Sequence, residues 1–238
     1  LLELGCPARV YIPLEEVSRL ESLPGEGPEW CAVLPRVWRD RDEPALRTLL
    51  ERARALGFTG VLIGNLGHLP LVRGLNFHLY GDYGLNVFNS RSLAYLKDKE
   101  LESACVSFEL RFAQIRDLKK VLRAEAIVYG RLPLMITENC LVQNETGCRL
   151  DRQGPCVPED GPCRCGQPNV LVDRTGAAFP LLPAYGHRTE IQNSKPLYLA
   201  DRPEHRRLGL AYARLRFTTE TAEECVSVVQ NYLDAAPA

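Results

Sequence analysis

The sequence has no apolar run approaching the roughly 20 residues that a membrane-spanning helix needs, and its first residues lack the basic, apolar and small-residue order of a secretory signal. Blocks of five or six like charges are also missing. With 29 Lys and Arg against 30 Asp and Glu, the formal charge is -1 and the isoelectric point is near 6.5. That balance removes the general electrostatic case for nucleic acid or an anionic membrane surface, and leaves a specific RNA pocket possible though not favoured by charge. There is no G-x-S-x-G nucleophile elbow, no H-E-x-x-H helix, no P-loop and no G-x-G-x-x-G turn, so conventional hydrolases and nucleotide enzymes lose most of their support. No internal repeat or low-complexity tract is present. These absences predict a soluble, cytoplasmic globular protein.

What is there is an ordinary core. At 238 residues and 45% hydrophobic content, the chain is long enough for one core of α/β-barrel size and too short for two large domains, which predicts a single domain over 1–238. It starts at Leu1, without Met, and reads as a fragment of a longer protein whose N-terminal portion is missing. Nine cysteines are an odd number for a disulfide scaffold, and the large core makes such a scaffold unnecessary. Cys31, Cys105 and Cys225 fall in apolar segments and read as small buried hydrophobes. Five more, Cys140, Cys148, Cys156, Cys163 and Cys165, crowd into a Pro- and Gly-rich stretch with spacings C-x7-C, C-x7-C, C-x6-C and C-x-C. Soft thiolates on loops can reach tetrahedral geometry around zinc or an iron-sulfur cluster, and these spacings do not decide between the two.

Short apolar or β-branched runs at 8–13, 31–37, 60–64, 77–80, 104–108, 126–129 and 211–218 read as strands. Helical periodicity fills 44–56, 67–75, 90–97, 112–122 and 221–233, with Thr221 and Glu224 spaced as a capping box. Such alternation predicts parallel strands joined by crossover helices. Seven strands fit an open doubly wound sheet or a TIM-barrel-like (β/α) barrel that lacks or hides its first strand. Polar residues just past the apolar strand cores, Arg36, Asn65, Asp82, Glu109 and Arg131, favour the barrel, because its C-terminal face gathers every strand end. Segment 133–208 breaks the pattern and reads as an irregular, Cys-rich excursion over the barrel top.

Several of these positions could carry chemistry. His68, in a G-N-L-G-H turn, is a possible base or ligand or else a helix cap, and the Asn65 amide could bind substrate or satisfy turn backbone. Asp82 and Asn86 lie in a Gly-rich turn that admits close approach of a ligand, with Asn89 or Ser90 as the alternative cap of the next helix. Asp82 with Glu109 would form a carboxylate pair for general acid/base work if both face one pocket. Arg131 could hold an anionic substrate group or neutralise Glu109. His187 could complete a metal site with Cys140, Cys148, Cys163 and Cys165, or serve as a turn residue.

Five stretches taken together resemble a known family: Val61-Leu62-Ile63-Gly64-Asn65-Leu66-Gly67-His68, Gly81-Asp82-Tyr83-Gly84-Leu85-Asn86-Val87-Phe88-Asn89-Ser90, Val128-Tyr129-Gly130-Arg131-Leu132-Pro133-Leu134-Met135, Asn193-Ser194-Lys195-Pro196-Leu197-Tyr198-Leu199 and Phe217-Thr218-Thr219-Glu220. They look like the C-terminal barrel region of long bacterial members of peptidase family thirty-two of unknown catalytic type, the collagenase-like peptidases. The resemblance implies a TIM-barrel-like fold and a missing N-terminal portion. It also implies one of two activities: collagen degradation, or a four-cysteine iron-sulfur cluster serving hydroxylation of tRNA or of a quinone precursor. Where those relatives read approximately His-Gly-Ala-Met-Cys, this chain has Tyr129-Gly130-Arg131-Leu132-Pro133. Proline cannot ligate, so the relatives' ligands do not carry across, and the cysteine candidates above rest on local spacing.

Three expectations follow. One is a peptide hydrolase with Asp82 and Glu109 as catalytic carboxylates, Asn65, His68, Asn86 and Arg131 binding a peptide or small-molecule substrate, and a cysteine metal site. Another is an iron-sulfur protein supporting hydroxylation of RNA or a small aromatic substrate. The third is a non-catalytic binding barrel with structural zinc, attached to the missing portion.

Overall fold

The computed structural model describes residues 7–25, 27–146, 164 and 167–235. It is a mixed α/β fold built on a curled half-barrel sheet of seven strands along one hydrogen-bonded path, with an eighth pairing beside it. Six strands run parallel in chain order: β1 (Arg9–Pro13), β2 (Glu29–Val33), β3 (Gly60–Ile63), β4 (His78–Gly81), β5 (Ser103–Cys105) and β6 (Arg123–Gly130). Between them lie α1 (Glu43–Ala55), α2 (His68–Val72), α3 (Ser90–Asp98) and α4 (Phe112–Asp117). All of β3, and β6 from Ala124 onward, are buried, as expected of parallel strands covered on both faces. In α1 the spacing of Leu46, Leu50 and Ala53 puts three buried residues on one stripe, and full burial of each leucine contributes about 1.5–3 kcal/mol.

The curl of the sheet can be read from side-chain reach. Arg9 on β1 donates to Ser103 on β5 at 2.8 Å, and Tyr11 on β1 donates to Glu125 on β6 at 3.0 Å. At about 4.8 Å between neighbouring strands, β1 and β5 would be roughly 19 Å apart in a flat sheet, beyond the span of an arginine. The inward face therefore wraps around these residues. Cys31, Leu62 and Tyr80 form an apolar cluster there, flanked by Tyr11 and Val33. Gly60 makes the cluster possible, since a Cβ at that position would lie 2.4 Å from Cys31 Sγ and 2.8 Å from the Tyr80 ring.

The chain divides into two compact units, one of 1–128, 199–214 and 226–238, the other of 129–198 and 215–225. The first holds the parallel strands. In the second, β7 (Pro133–Thr137), β8 (Asn169–Val172), β9 (Ala178–Ala184) and β10 (Arg188–Gln192) make an antiparallel sheet in the order β7-β10-β9-β8. The stretch expected to be irregular thus contains regular sheet. Its strands are short and interrupted by Pro133, Pro180 and Pro183, which hides the period-two pattern in the sequence. Remaining elements are α5 (Leu141–Thr146), β11 (Leu197–Tyr198), β12 (Tyr212–Arg216) and α6 (Ala222–Asp234). β11 pairs with the end of β6, β12 also pairs with β6, and Thr221 and Glu224 cap α6 reciprocally at 2.8 and 3.2 Å. No helix among the described residues is long and apolar enough to cross a membrane.

Candidate functional site at the strand ends

Alternation along the strands of the first unit sends every second side chain inward, and many of those are charged. Deepest, Arg9 is held by Glu29 at 3.0 Å, Ser103 at 2.8 Å and the Tyr212 hydroxyl at 3.2 Å, and its guanidinium lies 3.6 Å from the Tyr80 ring centroid and 4.2 Å from that of Tyr212. The Tyr80 hydroxyl donates to both Glu29 oxygens at 2.6 and 2.8 Å. These contacts are cooperative: the cation stacks on the rings, and the ring hydroxyls join the same carboxylate and guanidinium.

Closer to the mouth sits a second buried group. Arg214 on β12 donates through Nη1 to Asp82 at 2.6 Å and through Nε to Glu125, which also accepts from Tyr11 at 3.0 Å. Burial works against the Arg214 charge, but Glu125 and Asp82 outweigh it and lift its pKa well above the ordinary guanidinium value. Burial, with Glu125 beside it, pushes the Tyr11 phenol up, and burial likewise raises the Cys31 and Cys105 thiols, so neither cysteine is a thiolate nucleophile at neutral pH. Arg214 Nη2 is buried without a hydrogen-bond partner among the described residues.

Above this group the loops after β2, β3 and β4 and the start of α3 enclose a groove of about 840 Å³. Arg36, Asn65, Asn86 and Arg91 line it with Leu66 and Tyr95. Asn65 Oδ1 accepts from the Gly67 amide at 2.8 Å, which fixes the turn and leaves the side-chain NH2 as a donor. Asn86 closes the turn after Tyr83–Leu85 in the left-handed conformation, φ 51°. Asn89 is the cap of α3, accepting from Arg91 N and Ser92 N at 3.0 Å each.

His68 is fully buried just below the turn. Its Nε2–H donates to the Pro35 carbonyl at 3.1 Å, its ring lies 6.0 Å from that of Trp38, and Nδ1 has no partner among the described residues. Burial lowers its pKa to about 4, against the opposing pull of Pro35 and Asp82, so the ring is neutral at pH 7.

Within the first unit the candidate residues separate. Asn65 and Asn86 share the groove, and Asp82 lies buried beneath it against Arg214. Glu109 is exposed, and its backbone amide bonds Ser107 Oγ at 3.3 Å. Arg131 belongs to the second unit, where it donates to the Asn193 and Ser194 carbonyls and to Thr219. In that unit Cys140 is a buried free thiol, and His187 sits in the β9–β10 turn with φ 58°. Cys148, Cys163 and Cys165 lie outside the described residues. Among the described residues no group of three or more His, Cys, Asp or Glu is placed to hold a metal.

Sequence reasoning passed over Arg9, Glu125, Arg214 and Arg91. The signal for the first three was a charged residue at the inward parity of an apolar strand, as in Ala124-Glu125-Ala126 and Ala213-Arg214-Leu215. Arg91, in the first turn of α3, carries no sequence signal of its own, and the approach of the β2 and β3 loops gives it a place in the groove.

A curled half-barrel sheet with a polar groove at its strand ends defines a protein of the mixed α/β class. Within that class, the sequence model of Peptidase family U32 matches residues 22–168. The chain belongs to that family. No curated protein and no solved structure matches it.

Proposed function

We propose that this chain is the substrate-recognition barrel of a collagenase-like family U32 protein, taking a peptide or small polar molecule into the groove over β2, β3 and β4. The observation that carries the reading is the groove itself, with amide and guanidinium donors from Asn65, Asn86, Arg36 and Arg91 beside the apolar Leu66 and Tyr95. Such a lining suits a backbone with alternating polar and apolar groups. TIM-barrel-like closure of the sheet is supported by the Arg9 contacts to β5 and β12.

Hydrolysis is the sharper version of this reading. It would use Asp82 as base for water, but Asp82 is buried with its Oδ1 held by Arg214 at 2.6 Å, and Glu109 stands exposed. The geometry therefore favours binding over turnover. Calorimetric titration with collagen-derived peptides, run beside release of fluorophore from labelled gelatin, separates the two. Binding without release is expected. Cleavage by the parent chain that disappears in Asp82→Asn would replace recognition by hydrolysis.

A metal centre, zinc or iron-sulfur, held by Cys140 with Cys148, Cys163 and Cys165, and His187 as alternative ligand, is part of the same proposal. Its support is the buried free Cys140 thiol next to β7. Such a centre would order the cysteine segment and, as an iron-sulfur cluster, supply electron transfer.

A further inference from the structure

We infer that the groove is selective for a carboxylate, carried by an acidic side chain or by the C-terminus of a peptide, with Arg36 and Arg91 as its recognition pair. This inference rests on the groove being the substrate site.

The argument starts from charge. Two arginines line the groove, and none of its lining residues is an aspartate or glutamate. The carboxylate underneath, Asp82, is already bound to Arg214 at 2.6 Å. In a chain with formal charge -1, this concave patch carries two cations that form no ion pair among the described residues, while Arg9, Arg47, Arg188, Arg214 and Arg216 each have a carboxylate within 3.0 Å. Arg36 is also positioned. Its guanidinium lies 5.5 Å from the Tyr83 ring centroid, and its stem crosses two glycines. A Cβ on Gly84 would stand 3.1 Å from Arg36 Cδ and 2.6 Å from the Gly64 carbonyl, and one on Gly64 would be 3.6 Å from Arg36 Cγ. The α3 N-terminus is not the anion site, because Asn89 already takes its first free amides. Recognition falls to the planar guanidinium forks, which match a carboxylate in shape, while Leu66 and Tyr95, 45% and 48% exposed, offer apolar contact to a neighbouring residue.

The test is affinity selection by the whole chain from a synthetic pentapeptide library. One position is fixed as either glutamate or glutamine, and the C-terminus is either free or amidated. Carboxylate-bearing members should be retained roughly tenfold or more over the neutral, amidated ones, as a charge-assisted contact allows. The Glu/Gln and free/amide arms identify which carboxylate is read. Arg91→Ala, on an exposed residue, and Arg36→Ala should each remove the preference, and Arg36→Lys should keep part of it, with circular dichroism confirming the fold of each. Retention of peptides without carboxylate preference overturns this inference and leaves the groove as a binding site. If no peptide is retained at all, the inference and the recognition reading fall together.

Discussion

At the scale of single residues, the interior of the sheet is organised by charges placed where sequence patterns expect hydrocarbon. Arg214 neutralises two carboxylates that burial would otherwise penalise, so Arg214→Leu leaves Asp82 and Glu125 facing each other without a counterion. A loss of about 3–5 kcal/mol is expected, read as a lower urea midpoint. His68 makes a separate prediction about pH. The unfolded imidazole takes up its proton near the ordinary 6.5, but the folded one only near 4. Between these values the unfolded state holds more protons, so stability falls as pH drops from about 6.5 to 4 and the loss, on the order of 3 kcal/mol, is complete below 4. His68→Gln should melt with a shallower pH dependence than the parent across this window. Equal slopes would mean that His68 titrates in the fold as it does in the open chain.

At the scale of elements, the alternation of apolar runs and helical stripes located all seven strands of the sequence reading and the five helices that accompany them. That success has a physical cause: buried parallel strands and amphipathic helices each need a continuous apolar pattern, and the pattern is what the eye finds. The expected helix over 112–122 ends at Asp117, where Leu118 turns extended. The antiparallel β7–β10 sheet was not legible, because its prolines break the alternation. Nor was the pairing of site residues, since which loops approach each other depends on the curl of the sheet and not on any local signal. Asn65 and Asn86 stood out by their Gly-rich turns, whereas Glu109 stood out as a carboxylate just past an apolar strand core and is exposed. The cap of α3 joins element to site. Asn89→Ala should cost about 1 kcal/mol in thermal stability and free the amides of Arg91 and Ser92, loosening the first turn that carries Arg91 into the groove. Hydrogen exchange at those two amides measures it.

At the scale of the whole molecule, the two compact units differ in what holds each together. The first has the parallel sheet, its fully buried leucines and the stacked charges around Arg9 and Arg214. The second has a small antiparallel sheet whose β8 residues Val170, Leu171 and Val172 are 55%, 47% and 58% exposed, a thin apolar contribution for its size. Its polar ties are the Arg216 contacts to Gln192 and Glu190 at 2.7 Å each, and the Arg188–Glu138 pair at 3.0 Å. A metal centre on the cysteines would offset the conformational entropy that so little apolar burial leaves uncompensated. If Cys140, Cys148, Cys163 and Cys165 share such a centre, protein purified without oxygen carries stoichiometric zinc, or iron with broad absorption near roughly 400 nm. Cys148→Ser then lowers that content. Chelation should raise hydrogen exchange along β7 and β10 while the amides of β3 and β6 stay protected. Metal-free protein with unchanged protection in β7 and β10 would remove the centre from the proposal and leave the groove, with Arg36 and Arg91, as the proposed ligand site.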